Sequence, residues 1–527
     1  MFGLPRLIYG LFVVVTLLIG AAVAWWAPVW LWLWWILPAL ALVGALDLYS
    51  DKNVLSNYPI IGHLRYMLEF VRPELRQYFF ESELSGRPFN REQRTMINKR
   101  ADGLSDTSPF GTRRDFDNPG FDFIQHSIAP RQVVPEHARI TIGGPQCDLP
   151  YDSSRLNISA MSFGALSGTA VEAMNKGAKL GNFAQDTGEG AISPYHRKHG
   201  GDLIWEIASA YFGCRNSDGS FNADDFRTKA CAEQVRMIEI KISQGAKPGH
   251  GGLLPGAKVN AEIAATREIE VGKDCQSPAR HPEFDTPAGL LRFMQRLREL
   301  CGGKPVGFKL CLGKRDEFMG ICKAMLETGI QPDFITVDGA EGGTGAAPAE
   351  FEDFVGSYLN EALPFIHNCL LGIDKRDQIR IIASGKVAFG FDMVEKIALG
   401  ADMCNAARPF IFAVGCIQAL RCHTNTCPTG VTTQDPARAR SINVPSKAVR
   451  VCNFHDATVN AFLDLTGAQG LDNPQLLRPG HIQHRPGHGA AVTYADTHPR
   501  VEPGDFLADR VPEIYSSDWE QASASRF

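Results

Sequence analysis

Between residues 155 and 415 the chain repeats one rhythm. Short apolar or β-branched runs end in Gly, Ser or Asp: NISAMSFG, FAQDTGEG, IEIKISQG, VGFKLCLG, FITVDGAEGG, IRIIASGK and MCNAARP. Helical patterns lie between most of them: GTAVEAMNKGAKLG, LLRFMQRLRELCG, EFMGICKAMLETG and FDMVEKIALG. A strand followed by a helix and another strand means parallel pairing, because only a crossover brings the chain back in the same direction. A weaker strand at LIWEIAS completes a set of roughly eight in about 260 residues, the size of a (β/α)8 barrel. The expected fold is therefore α/β, a TIM barrel. A doubly wound open sheet is the runner-up, but no GxGxxG follows the first strand.

In such a barrel the chemistry sits where the strands end. After the seventh strand come Ser384, Gly385 and Lys386, and after the last come Ala406, Ala407 and Arg408. A glycine-rich loop, DGAEGGTG, runs from Asp338 to Gly345. Glycine lets main chain approach a flat ligand closely, and loops after strands seven and eight commonly hold phosphate. Three such loops in succession point to a phosphate-bearing cofactor, flavin mononucleotide (FMN). The loop KISQGAKPGHGG, from Lys241 to Gly252, brings two lysines and Gln244 to another strand end. Cations there can stabilise a reduced, anionic flavin and bind a substrate carboxylate. A solvated charged loop is the blander reading.

The chain holds 13 cysteines, too few in 527 residues for a disulfide scaffold. Most are scattered singly, as buried thiols commonly are. Three are not: Cys416, Cys422 and Cys427 stand together in GCIQALRCHTNTCPTG. Zinc would use three thiolates only with a fourth ligand such as His423. Chance clustering is the remaining bland account.

Before the barrel, residues 7 to 46 carry no charged side chain. The run is long enough for two membrane spans of about 20 residues, broken near Ala27-Pro28. Six of the 8 tryptophans lie between Trp25 and Trp35, where an interfacial turn would want them. Arg6 precedes the run, and Lys52, Arg65, Arg72 and Arg76 follow it. The positive-inside rule then puts the body on the cytoplasmic face of the inner membrane, with the lipid bilayer as a partner. The expected organisation is a transmembrane helical hairpin (1–50), a connector with amphipathic helices (51–150), the barrel with its cysteine segment (151–485) and a tail (486–527). A net charge of −5 points to no nucleic-acid partner.

NISAMSFGALS, DTGEG, KISQGAKPGHGG, VDGAEGGTGAAP and the cysteine run together resemble the FMN-binding synthase domain of the glutamate synthase family. The resemblance covers residues 150 to 485 with the motifs in the family's order. It implies the same barrel, FMN, a [3Fe-4S] cluster on Cys416, Cys422 and Cys427, and reduction of the imine of 2-oxoglutarate and ammonia to glutamate. FMN would meet Met161, Ser162, Gly164, Ala165, Gln244, Lys309, Asp338, Gly339, Gly342, Gly343, Ser384, Gly385, Lys386, Ala407 and Arg408. Lys247 and Arg267 would grip the dicarboxylate, and Glu189, Gln244 and Lys247 would be catalytic.

The chain also departs from the family. His250 stands where a glutamate is usual, and EIEVGKDCQSPARHPEF after Arg267 differs from the usual stretch. Complete glutamate synthases begin with a glutaminase domain; here the hairpin stands in its place, so the expectation is a stand-alone synthase using free ammonia or a separate glutaminase. No nicotinamide fingerprint is visible, so the expected electron donor is ferredoxin, a reductase subunit or a membrane carrier. Two other functions compete: an amine or amino-acid oxidoreductase feeding a membrane carrier, and a flavin-loaded, non-catalytic sensor.

Overall fold

The computed structural model describes residues 4–26 and 31–527. The chain divides into two compact units, Met1–Arg91 and Glu92–Phe527.

The first unit is helical. Helices α1 (Leu4–Trp26) and α2 (Leu31–Asp47) are joined where the Tyr9 hydroxyl donates to the Ala41 carbonyl at 2.5 Å. The end of α2 is organised by Asp47, whose buried carboxylate accepts from Ile60 N at 2.9 Å and meets His63 Nε2 at 2.8 Å. A third helix, α3 (Gly62–Leu75), carries the amphipathic pattern expected of the connector. Among the described residues no helix is long and apolar enough to cross a membrane. This corrects the expected transmembrane hairpin, and with it the placement on the inner membrane and the bilayer as partner. Helix α2, at 17 residues with Pro38 inside it and a carboxylate at its end, sits at the lower limit of the length a bilayer requires. The expected break at Ala27-Pro28 lies outside the described residues.

The second unit is built on eight parallel strands: β1 (Leu156–Ile158), β2 (Gln185–Asp186), β3 (Leu203–Ile207), β4 (Val235–Lys241), β5 (Val306–Leu310), β6 (Phe334–Asp338), β7 (Arg380–Ser384) and β8 (Met403–Ala406). Each pairs with the next in sequence, and β8 pairs back onto β1 through Cys404, Asn405 and Ala406. The sheet is closed, which excludes the doubly wound alternative. Strands such as Leu203–Ile207 and Val306–Leu310 are buried at every position because helices cover one face and barrel-filling side chains the other. A hairpin of Arg139–Ile142 and Tyr151–Ser154 closes one end. Its Ile140, Ile142 and Tyr151 form one apolar cluster with Phe334 and Met403, the first residues of β6 and β8. The ends where the strands finish are left for chemistry.

Helices α4 (Gly168–Gly181), α5 (Ala261–Arg267), α6 (Pro287–Leu300), α7 (Arg315–Thr328), α8 (Leu359–Gly372), α9 (Gly390–Ala398) and α10 (Arg408–Val414) follow their strands. Ser167 starts α4 by accepting from Ala170 N, and Thr286 starts α6 by accepting from Gly289 N, the ordinary N-cap chemistry. The long helix α11 (Val444–Ala468) lies against α4, where Gly177 leaves room for Val451. The C-terminal segment, with α12 (Glu513–Gln521), folds back on the barrel: Tyr515 meets the Phe365 ring edge-on at 5.4 Å, and Ala288 N donates to Ala524 O at 3.0 Å.

Candidate active site

Loops after β2, β4, β6, β7 and β8 converge at the open end of the barrel. The centre of charge is Glu189, from the loop after β2. Its Oε2 accepts from Lys241 Nζ, the last residue of β4, at 2.7 Å. Burial disfavours its charge, but Lys241, Lys247 and Arg267 outweigh that and hold Glu189 at about 2. Lys241 also donates to Gln244 Oε1 at 3.2 Å. Lys247 reaches Ala346 O at 3.4 Å, and burial pushes its ammonium down while Glu189 pulls it up. Arg267, the last residue of α5, donates from Nη2 to Phe163 O at 2.9 Å and lies over the Phe212 ring at 5.2 Å. Its buried Nε has no protein partner among the described residues. Lys241 touches this carboxylate and Lys247 and Arg267 act on it through space, while Lys241 also lies 3.8 Å from Glu206; Lys247 and Arg267 are left to suit an anionic ligand.

The glycine-rich loop after β6 is stitched to its neighbours. Gly245 N donates to Asp338 Oδ2 at 2.8 Å, and Gly339 N to Ser384 O at 2.8 Å. A Cβ on Gly245 would run into the Gly339 carbonyl, so glycine is required there by close approach. Gly342 N closes the turn onto Gly339 O at 2.9 Å. Ser384 Oγ meets Ser159 Oγ at 3.1 Å, joining β7 to the Met161–Ala165 segment beyond β1. Gly385 has φ +155° and Lys386 has φ +49°, so the chain turns sharply there. Arg408, at the start of α10, donates from Nη2 to Thr344 O and reaches Cys422 Sγ from Nη1 at 3.8 Å. Its Nε lies 3.4 Å from where a Cβ on Gly343 would be. Arg408 therefore joins the glycine loop to the cysteine loop.

Of the residues expected at the flavin, Met161, Ser162, Gly164, Ala165, Gln244, Gly339, Gly342, Gly343, Ser384, Gly385, Lys386, Ala407 and Arg408 end or follow strands β1, β4, β6, β7 and β8, at the same end of the barrel. Two are committed to the protein itself. Asp338 accepts from Gly245, and Lys309 on β5 is 3% exposed with its ammonium on Glu206 of β3. Lys309 also lies 3.7 Å from Glu239 on β4. Burial opposes its charge, but Glu206, Glu239, Asp186 and Asp338 outweigh it and keep the ammonium protonated. Burial and the neighbouring Glu239 and Glu206 push the Asp186 carboxyl well up. Asp186, Glu206 and Glu239 are, among the described residues, the one group of three such donor atoms within 4.8 Å of each other. Lys309 already supplies their cation, so the group reads as an internally balanced network. Sequence reading missed it because the three acids lie on separate strands, and only strand alternation inside a closed barrel aims them at one point.

A family model for the conserved region in glutamate synthase matches residues 147–472. The chain belongs to the glutamate synthase family. A glutamate synthase large subunit-like protein of Bacillus subtilis, YerD, is 37% identical over 84% of this chain and 92% of its own length. An archaeal glutamate synthase [NADPH] of Methanocaldococcus jannaschii is 33% identical over 68% of this chain and 66% of its own. The glutamate synthase [NADPH] large chain of Azospirillum brasilense is 32% identical over 66% of this chain, which covers 22% of that protein. This glutamate synthase relative is an oxidoreductase, and its barrel is the one the motifs implied.

The residues present can be tested against the FMN and the cluster that the resemblance implies. The glycine rim offers close main-chain approach beside Arg408, and buried Gln185 on β2 has both side-chain ends without a protein partner among the described residues. The cysteine loop follows α10 directly. Cys416 is pushed up to about 11 by burial, whereas hydrogen bonds from Thr432 and Thr429 overcome burial and hold Cys427 at about 7. Cys416, Cys422 and Cys427 lie on the one loop that follows α10. Two cations, Arg408 and the buried Lys258, reach this loop. Both also donate to main-chain carbonyls, Arg408 to Thr344 and Lys258 to Ala165, Cys422 and Thr432.

Proposed function

We propose that the chain binds FMN and a [3Fe-4S] cluster and reduces the imine of 2-oxoglutarate and ammonia to glutamate. The observation that carries this reading is Glu189 ringed by Lys241, Lys247 and Arg267 at the barrel mouth. When bound, FMN supplies hydride transfer and the cluster supplies one-electron carriage. Lys247 and the free Nε edge of Arg267 take the two carboxylates, arginine offering a planar, multiply donating grip. Lys241 fixes Glu189 and Gln244 to each other, so the polar wall facing the substrate is ordered before binding. Phe212 lies under the Arg267 guanidinium and gives that cation an apolar face. Cys416, Cys422 and Cys427 would hold the cluster, with Arg408 between them and the glycine loop.

The electron donor is a ferredoxin or reductase subunit, and ammonia comes free or from a separate glutaminase. The archaeal and Azospirillum relatives are named for NADPH; NADPH would act here through such a donor. Oxidation of an amine into a membrane carrier drew its motive from the hairpin and loses it with that correction. A non-catalytic sensor has no need of a dicarboxylate grip.

The test is a turnover assay on purified protein with a reduced ferredoxin. 2-Oxoglutarate plus ammonia should consume the donor and yield glutamate. No consumption, with amino acids reducing the flavin instead, would overturn the direction. Oxidised protein should give a [3Fe-4S] paramagnetic resonance signal and release FMN on denaturation. Cys422→Ser should lose the signal and donor-dependent turnover while keeping FMN. Stoichiometric zinc without iron would sink the cluster.

A further inference from the structure

Lys258 is 3% exposed, and no sequence motif singled it out. It ends a single helical turn, Gly256–Lys258, between the short strand Leu253–Leu254 and α5. Its Nζ donates to three main-chain carbonyls: Ala165 at 3.1 Å, Cys422 at 2.8 Å and Thr432 at 2.9 Å. These acceptors come from two segments that meet nowhere in the sequence, the rim beyond β1 and the cysteine loop. Neighbouring bonds run the same way. Asn425 Nδ2 donates to Ala257 O at 3.4 Å, and Gln434 Nε2 donates to Gly164 O at 3.0 Å and Leu166 O at 2.8 Å. At the far end of α5, Arg267 holds the same rim through Phe163 O.

None of the three acceptors of Lys258 is a carboxylate. A buried ammonium met only by neutral carbonyls is costly unless an anion lies close by. Burial pushes its ammonium down to about 8, and the groups that favour its charge are Cys422, whose carbonyl it touches, and Cys427. We infer that Lys258 is a positioning residue with two tasks: it ties the cysteine loop to the flavin rim, and its charge raises the reduction potential of the cluster. The inference rests on the cluster reading above. The physical reason is Coulombic. A fixed positive charge in a poorly screened interior stabilises whichever oxidation state carries more negative charge, and that is the reduced one. Arg408 reaches the Cys422 sulfur and Lys258 the Cys422 carbonyl. The charge therefore stands where the cysteine loop and the flavin rim join.

The experiment is a redox titration followed by paramagnetic resonance on the whole, cofactor-loaded protein, comparing the unaltered chain with Lys258→Gln and Lys258→Arg. Lys258→Gln keeps a hydrogen-bond donor and loses the charge; iron content should stay and the cluster midpoint should move to more negative potential. Lys258→Arg keeps the charge and should hold the unaltered midpoint. Iron lost from Lys258→Gln but kept in Lys258→Arg would equally support a charge that holds the loop. An unchanged midpoint in Lys258→Gln overturns the inference, and so does iron loss from both variants alike. An unaltered protein that holds no cluster fails in a different place: it overturns the cluster assignment itself.

Discussion

Glu189 shows how one residue takes its character from neighbours that sequence keeps apart. Its carboxyl is held at about 2 against an ordinary value of 4.5, with burial opposing and three cations prevailing. A depressed carboxyl contributes stability that is complete above 4.5 and is lost as pH falls toward 2. In urea unfolding across that window the unaltered protein should lose about 3 kcal/mol from this group; Glu189→Gln should show no loss of this origin. The same variant should act at high pH. Glu189 supports the Lys247 ammonium against burial, so its removal lets Lys247 lose its proton at lower pH. The alkaline rise in KM for 2-oxoglutarate should then begin at lower pH in Glu189→Gln, with kcat at neutral pH falling less than affinity. An alkaline limb left in place would detach Glu189 from Lys247.

At the scale of elements, close approaches decide which glycines are irreplaceable. On α4, a Cβ at Gly177 would meet Val451 Cγ1 at 2.5 Å and Ala448 O at 2.8 Å on α11. Alanine is the better helix former by about 1 kcal/mol, yet the contact is partly main chain and cannot rotate away. Gly177→Ala should therefore destabilise by about 1–2 kcal/mol in denaturant unfolding, leaving flavin and iron content untouched at low temperature. At Gly245 the obstacle is the Gly339 carbonyl, in the loop that forms the flavin rim. Gly245→Ala should push that loop aside and weaken FMN binding about tenfold, or roughly 1.4 kcal/mol, read by flavin fluorescence on dilution. Helices α4, α6, α7 and α9 were legible from spacing and caps because each presents a continuous apolar stripe. Strand β2 was legible only through the company of DTGEG, since two paired residues carry no periodicity of their own.

The whole molecule depends on segments far from the site. The last residues of the expected tail (486–527) lie against α6, α7 and α8. Tyr515, Ala522 and Ala524 are buried, and Lys323 on α7 donates to Ala522 O at 2.9 Å while lying over the Trp519 ring. Removing residues 513–527 should cost about 3–5 kcal/mol, the range for losing one large buried side chain with its neighbours. Thermal unfolding should fall by several degrees, with FMN and iron retained below the transition. An unchanged transition would show that the segment covers the barrel without supporting it. The first unit is a separate lesson. A long charge-free run reads from sequence as a membrane hairpin, but helix limits belong to the folded chain, and α2 stops at a buried Asp47 that accepts from Ile60.

Sequence alone determined the alternation of strand and helix, the number of strands, the glycine loops and the cysteine spacing. Each of these is local, carried by residues a few positions apart whose backbone preferences act before any tertiary contact forms. Only the tertiary structure decided that the sheet closes, that Asp186, Glu206 and Glu239 share the Lys309 cation, and that Arg408 and Lys258 both meet Cys422 of the cysteine loop. These are meetings of side chains between about 65 and 175 positions apart in most cases, and periodicity has nothing to say about them. They arise because barrel closure carries the strand ends to a common rim, where burial removes solvent screening and lets a few charges set each other's state.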